Sequence, residues 1–61
     1  MQYVIIKYRA PSIGGEHMPL YLYTEPLHVL DEKENTIVVQ HNNSEFYTYE
    51  FDKKYIEKII A

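Results

Sequence analysis

The stretch LHVLDEKENTIVVQ, residues 27–40, decides the fold of this chain. Its two arms, residues 27–30 and 36–40, are largely apolar, and the β-branched residues of the second arm favour an extended backbone. The five polar residues between the arms, 31–35, are few enough to form a hairpin turn. The carboxylates among them suit a solvated tip that resists edge-to-edge pairing. The sequence therefore predicts a β-hairpin in the middle of the chain.

Further strand-like segments lie on both sides of this hairpin. The segment before it, residues 18–24, alternates Met18, Leu20 and Leu22 with Pro19, Tyr21 and Tyr23, which is the period of a strand. The loop at residues 10–17 contains Gly14 and Gly15, which interrupt a strand. We predict five strands, near residues 2–9, 18–24, 27–30, 36–41 and 46–51.

The last ten residues change their hydrophobic period. Four apolar side chains fall at helical spacing there: Tyr55, Ile56, Ile59 and Ile60. Asp52 stands where an N-cap is expected, because its carboxylate can accept from the first unpaired N–H groups of a helix. The pattern predicts a short C-terminal helix near residues 53–60 that docks on the sheet, since a helix of two to three turns is not stable alone.

These elements predict a mainly β, single small domain spanning residues 1–61. The expected architecture is a five-stranded antiparallel meander or SH3-like small barrel with a short C-terminal helix. Its order, a longer first loop followed by short hairpins, is similar to that of SH3-like barrels. The alternative is an open antiparallel sheet with the helix packed across one face, whose free edge invites a second copy of the chain. The predicted core consists of Val4, Ile6, Leu20, Leu22, Val29, Ile37, Val39, Ile56 and Ile59.

Composition argues against several classes of site and partner. The chain has no cysteine, which removes disulfides, thiolate metal sites and cysteine nucleophiles. Its net charge of −3 argues against a general affinity for nucleic acid or for an anionic membrane. The spacing of His17, His28 and His41 matches no local metal motif, so we expect no metal and no cofactor. Without a signal peptide or an apolar stretch of about 20 residues, we expect a cytoplasmic protein.

Tyrosine is the unusual component, with seven residues against two Phe and no Trp. If Leu20 and Leu22 are buried, alternation turns Tyr21 and Tyr23 outward. Which face of residues 46–51 points inward stays open in the sequence. The alternative role of each tyrosine is to stabilise the sheet by pairing with an aromatic ring on a neighbouring strand. We predict a partner-binding surface that contains Tyr21, Tyr23, Tyr47 and Tyr49, with Glu16 and Glu25 as an acidic rim for a basic partner.

No catalytic motif occurs in the chain, and we expect no enzymatic activity. The leading hypothesis is a small protein-interaction module that binds and modulates or inhibits a larger protein. In size and acidity the chain resembles accessory proteins encoded by phages and plasmids. A second hypothesis is single-stranded nucleic-acid binding by tyrosine stacking, helped by Lys7, Arg9 and the C-terminal lysines. A third is a homo-oligomeric structural piece, for instance a homodimer formed through an edge strand.

Overall fold

Five strands form one antiparallel sheet in the computed structural model, which describes residues 1–41 and 47–61. The order of the strands across the sheet is β4-β3-β2-β1-β5. The first four strands are therefore neighbours in chain order, and the last strand returns to lie beside the first. The strands are β1 (Tyr3–Ile6), β2 (Leu27–Glu32), β3 (Thr36–Gln40), β4 (Thr48–Asp52) and β5 (Ile56–Ile59).

The predicted central hairpin is formed by β2 and β3. Val29 lies opposite Val39, and a register shift between Val29 and Asp31 makes Leu30 a bulge in β2. The turn closes with a hydrogen bond from the Lys33 N–H to the Thr36 carbonyl at 2.9 Å. The mainly β, antiparallel class expected from the sequence is confirmed.

The segment predicted as a strand at residues 18–24 is instead a 3₁₀ helix, Leu20–Thr24. Leu22 and Tyr23 are both buried although they are adjacent, and Leu20 is exposed. The reason is a long-range contact. The Tyr23 hydroxyl donates to the Ala10 carbonyl at 2.6 Å and accepts from the Met18 N–H at 3.2 Å, so burying this ring satisfies two backbone groups of the first loop.

The predicted helix at residues 53–60 is also wrong. A 3₁₀ helix covers only Lys53–Tyr55, and the isoleucines after it form β5. Asp52 does cap this helix, accepting from the Lys54 N–H at 2.9 Å. Strand pairing prevails because it provides partners for the outer edge of β1, placing Ile59 opposite Val4, and because isoleucine favours strands.

The core lies between the inner faces of β1 to β4, with Leu27 at the start of β2, and the first 3₁₀ helix. Five of the predicted core residues are buried: Val4, Ile6, Leu22, Ile37 and Val39. The other four are not, since Val29 and Ile56 are only half-buried and Leu20 and Ile59 are exposed. The buried residues that the strand patterns did not identify are Ala10, Met18, Tyr23, Leu27 and Phe51.

Hydrogen bonds hold the first loop at its start and at Ile13. Its opening turn closes with a hydrogen bond from the Ala10 N–H to the Lys7 carbonyl at 3.0 Å. Within this turn Arg9 adopts a positive φ of 65°. Farther along, the Ile13 N–H donates to the Glu50 carbonyl of β4 at 2.7 Å. No helix among the described residues is long and apolar enough to cross a bilayer.

Candidate functional site

One face of β4 leads from the core to the surface. Phe51 is fully buried on this face, Tyr49 is half-buried two residues earlier, and Tyr47, just before the strand, is 68% exposed. The Tyr49 and Phe51 ring centroids lie 6.4 Å apart. The inward face of β4 is therefore the one that carries Tyr49 and Phe51. Phe46, the first residue of the predicted strand, lies outside the described residues.

A cleft of about 280 Å³ opens where this face reaches solvent. The first 3₁₀ helix supplies Tyr21, which is 64% exposed. His41, directly after β3, meets the Tyr21 ring edge-on with centroids 6.3 Å apart. We call this feature the tyrosine cleft; the described residues that line it are Pro19, Tyr21, Leu22, His41, Tyr47 and Tyr49.

One carboxylate contacts the wall of the tyrosine cleft. Glu25 Oε2 is 3.4 Å from His41 Nε2, which holds this carboxylate next to the wall. Burial raises the pKa of the Tyr49 phenol, and the negative charge of Glu16 raises it further. No lysine or arginine is among the described residues that line the cleft.

Three of the six predicted site residues, Tyr21, Tyr47 and Tyr49, line one cleft, and a fourth, Glu25, contacts His41 in its wall. Tyr23 is only 2% exposed and belongs to the core, so the predicted outward pair of Tyr21 and Tyr23 is wrong. Strand alternation does not apply to residues 20–24 because they form a 3₁₀ helix. In such a helix, residues two positions apart lie on different faces. Sequence reasoning missed Pro19, Leu22 and His41 as lining residues, which meet because the first 3₁₀ helix lies beside the end of β3.

The chemistry available in the tyrosine cleft is recognition of cationic or apolar groups. Tyrosine rings attract cations to their faces, and the Glu25 carboxylate beside His41 adds to the attraction. A volume just below the roughly 300–1,000 Å³ of small-molecule sites suits one or two protein side chains. Among the described residues, no three His, Asp or Glu side chains form a group that could hold a metal ion. His28 stacks on Tyr3 with centroids 5.3 Å apart, and His17 is exposed.

Comparison of the chain with protein-family models, with curated proteins and with solved structures finds no match. A functional assignment therefore depends on the geometry of the tyrosine cleft and on the charges around it.

Proposed function

We propose that this protein is a non-enzymatic interaction module that binds a larger protein through the tyrosine cleft and thereby modulates or inhibits it. The observation that carries the proposal is the convergence of Tyr21, Tyr47 and Tyr49 from two separate segments on one cleft. Tyrosine is enriched among the interface residues whose truncation costs the most binding energy. Two of these rings are more than three-fifths exposed in the isolated chain, so a partner would remove a large apolar area from water.

The partner we propose is a protein with a basic segment. Glu16 and Glu25 give the cleft a negative border, and like charges on a partner would be repelled. A lysine or arginine side chain of the partner would insert between the exposed rings of Tyr21 and Tyr47, where cation–π attraction and the carboxylates act together. The half-buried Tyr49 forms the floor against which its apolar stem packs.

The scaffold proposed for this module is an SH3-like small barrel. Support comes from the strand order, in which β5 pairs with β1, and from the 3₁₀ helix Lys53–Tyr55 just before the last strand. Small barrels of this kind carry many unrelated functions, so the scaffold provides a rigid support for the cleft but does not identify the partner. The resemblance in size and charge to phage and plasmid accessory proteins belongs to the same proposal.

Selection of peptides from a random display library on the immobilised protein tests this function directly. We expect selected peptides to be enriched in Lys and Arg and to lose at least about tenfold in affinity when Tyr21 or Tyr47 is replaced by serine. The matched control is Tyr8→Ser, which removes a ring that is 58% exposed outside the cleft and should leave the affinity unchanged. Circular dichroism and one-dimensional NMR verify that each variant is folded.

Two results would overturn the proposal. One is a set of selected peptides whose affinity is the same for wild type, Tyr21→Ser and Tyr47→Ser. The other is equal loss in the Tyr8→Ser control, which would show that any exposed tyrosine contributes and that the cleft has no special part. Replacement of Glu25 by glutamine tests the acidic border separately, with a several-fold loss expected for basic peptides at low salt.

A further inference from the structure

Cations and aromatic rings meet at a second surface, where the end of β1 lies next to the second 3₁₀ helix. The Arg9 guanidinium carbon lies 5.6 Å from the centroid of the Tyr8 ring. The Lys54 ammonium lies 5.2 Å from the centroid of the Tyr55 ring. A hydrogen bond from the Lys7 N–H to the Tyr55 carbonyl, 2.8 Å long, joins the two segments. We call this surface the basic–aromatic patch; it consists of Lys7, Tyr8, Arg9, Lys54 and Tyr55.

The positive charge of this patch is not neutralised within the described chain. Of the six Lys and Arg residues, Lys33 and Lys53 form salt bridges with Glu50 and Glu32. The other four make no ion pair with any residue in 1–41 or 47–61; they are Lys7, Arg9, Lys54 and Lys58. Lys58 belongs to the same region because it lies opposite Ile5, two residues before Lys7.

Two carboxylates lie close to these four cations in the chain. Asp52 is engaged with the backbone N–H of Lys54, and Glu57 is the extra residue of the bulge between β1 and β5. Four cations against two carboxylates leave this region positive, although the whole chain carries −3. Charge is therefore segregated on the surface, with the negative tyrosine cleft and the basic–aromatic patch as distinct regions.

The backbone at Arg9 adds an independent observation. Its φ of 65° lies in the left-handed region, which glycine and asparagine adopt at much lower cost than arginine. Non-glycine residues held in the left-handed region cluster at functional sites, where the role of the side chain compensates for the cost of the strained backbone. Arg9 is the only arginine of the chain, and it lies exposed at the tip of this turn beside Tyr8.

We propose that the basic–aromatic patch binds single-stranded nucleic acid, as a site separate from the tyrosine cleft. Lys7, Arg9 and Lys54 contact the phosphates, and exposed Tyr8 offers a face on which a base stacks. The planar guanidinium of Arg9 provides a second stacking surface next to this ring. The combination of rings and cations favours a nucleic acid over an acidic protein, because an acidic peptide has no planar bases to stack.

Fluorescence anisotropy with labelled oligo(dT) and oligo(U) of about 12 nucleotides tests the proposal and separates DNA from RNA, and a length in this range spans one small-barrel site. We expect binding at low salt whose affinity falls with salt, with a logarithmic slope of up to about −2 for three neutralised phosphates. Arg9→Gly should reduce the magnitude of this slope by about 0.7 without unfolding the protein. Tyr8→Leu should reduce the affinity about tenfold through lost stacking.

Matched charge variants localise the site. Lys54→Gln and Lys33→Gln change the net charge equally, but only Lys54 belongs to the patch, so only Lys54→Gln should weaken binding. Tyr21→Ser should bind the oligonucleotides as wild type does, which separates this inference from the function proposed for the cleft. Absence of binding at low salt, equal binding of polyglutamate or of a duplex of the same length, or equal losses in the two lysine variants would each overturn the proposal.

Discussion

Replacing Tyr23 by phenylalanine removes one oxygen atom and should destabilise the protein severely. The Tyr23 hydroxyl bonds to the Ala10 carbonyl at 2.6 Å and to the Met18 N–H at 3.2 Å, and all three residues are buried. The phenylalanine variant keeps the packing of the ring but leaves two buried backbone groups without partners. Each such group costs about 1–3 kcal/mol, so we expect a loss of about 2–6 kcal/mol in the free energy of unfolding.

That loss is large for a chain of 61 residues, whose total stability should be about 3–9 kcal/mol. At about 4–8 °C per kcal/mol, the midpoint of thermal unfolding should fall by roughly 10–50 °C. Urea and thermal unfolding followed by far-UV circular dichroism measure both quantities. Amide hydrogen exchange at Met18 should accelerate, since its N–H loses its partner.

The matched control is Tyr8→Phe. The Tyr8 hydroxyl makes no hydrogen bond within residues 1–41 and 47–61, and its ring contacts the Tyr23 ring edge-on with centroids 5.8 Å apart. We expect this variant to remain within about 0.5 kcal/mol of wild type. If Tyr23→Phe loses no more stability than Tyr8→Phe, the hydroxyl does not hold the first loop and the reasoning is refuted.

Three further predictions concern stability. Arg9→Gly relieves a left-handed φ of 65° and should stabilise the fold by about 1 kcal/mol in urea unfolding; a loss would show that the arginine side chain contributes more than its strain costs. Ile6→Ala should cost about 2–5 kcal/mol, and Ile56→Ala about half as much, because Ile6 is fully buried and Ile56 is not; equal costs would contradict the core described above. Hydrogen bonds from Thr36 and Lys33 lower the pKa of Glu50 below its ordinary value of 4.5. The ionised Glu50 carboxylate therefore stabilises the fold above that pH, and this stabilisation is lost as the pH falls through the lowered pKa. Thr36→Val should raise the Glu50 pKa in an NMR titration and flatten the acid limb of the stability curve, and an unchanged pKa would contradict this assignment.

The strands β2, β3 and β4 are predicted correctly and their partners are near in the chain, whereas β1 is identified from its own strand-forming residues although both of its partners are distant. Residues 27–40 carry their own turn, and alternation then identifies Ile37 and Val39 as buried. The C-terminal residues have no local partner, so their spacing alone indicated a helix. Their conformation depends on β1, more than fifty positions earlier, whose free edge Ile59 completes. The sequence identifies Asp52 as an N-cap because capping depends only on neighbouring residues. The length of the helix that follows Asp52 does not depend on neighbouring residues alone.

In the candidate site, too, some residues are predicted from the local pattern and others are placed by contacts that no local pattern encodes. Tyr47 and Tyr49 share a face by simple alternation along one strand. Alternation assigns Tyr21 and Tyr23 to one side because leucine is the better core residue by type. The decisive factor was the phenolic oxygen of Tyr23, which finds two backbone partners that no local pattern encodes. The place of Tyr21 beside His41 likewise depends on how the first loop folds back.

The bridge formed by Tyr23 has a consequence for how this protein can vary. The hydroxyl joins Ala10 to Met18, so the chain between them enters and leaves the core at fixed points. At the tip, a side chain added at Gly14 or Gly15 would meet no atom within 4 Å, although the φ of +85° at Gly15 strains any other residue there. Lengthening such a loop costs little, about 0.6 kcal/mol for each doubling. Insertions beside Gly14 could therefore accumulate, in evolution or in a designed library, and place new recognition sequences on an unchanged sheet.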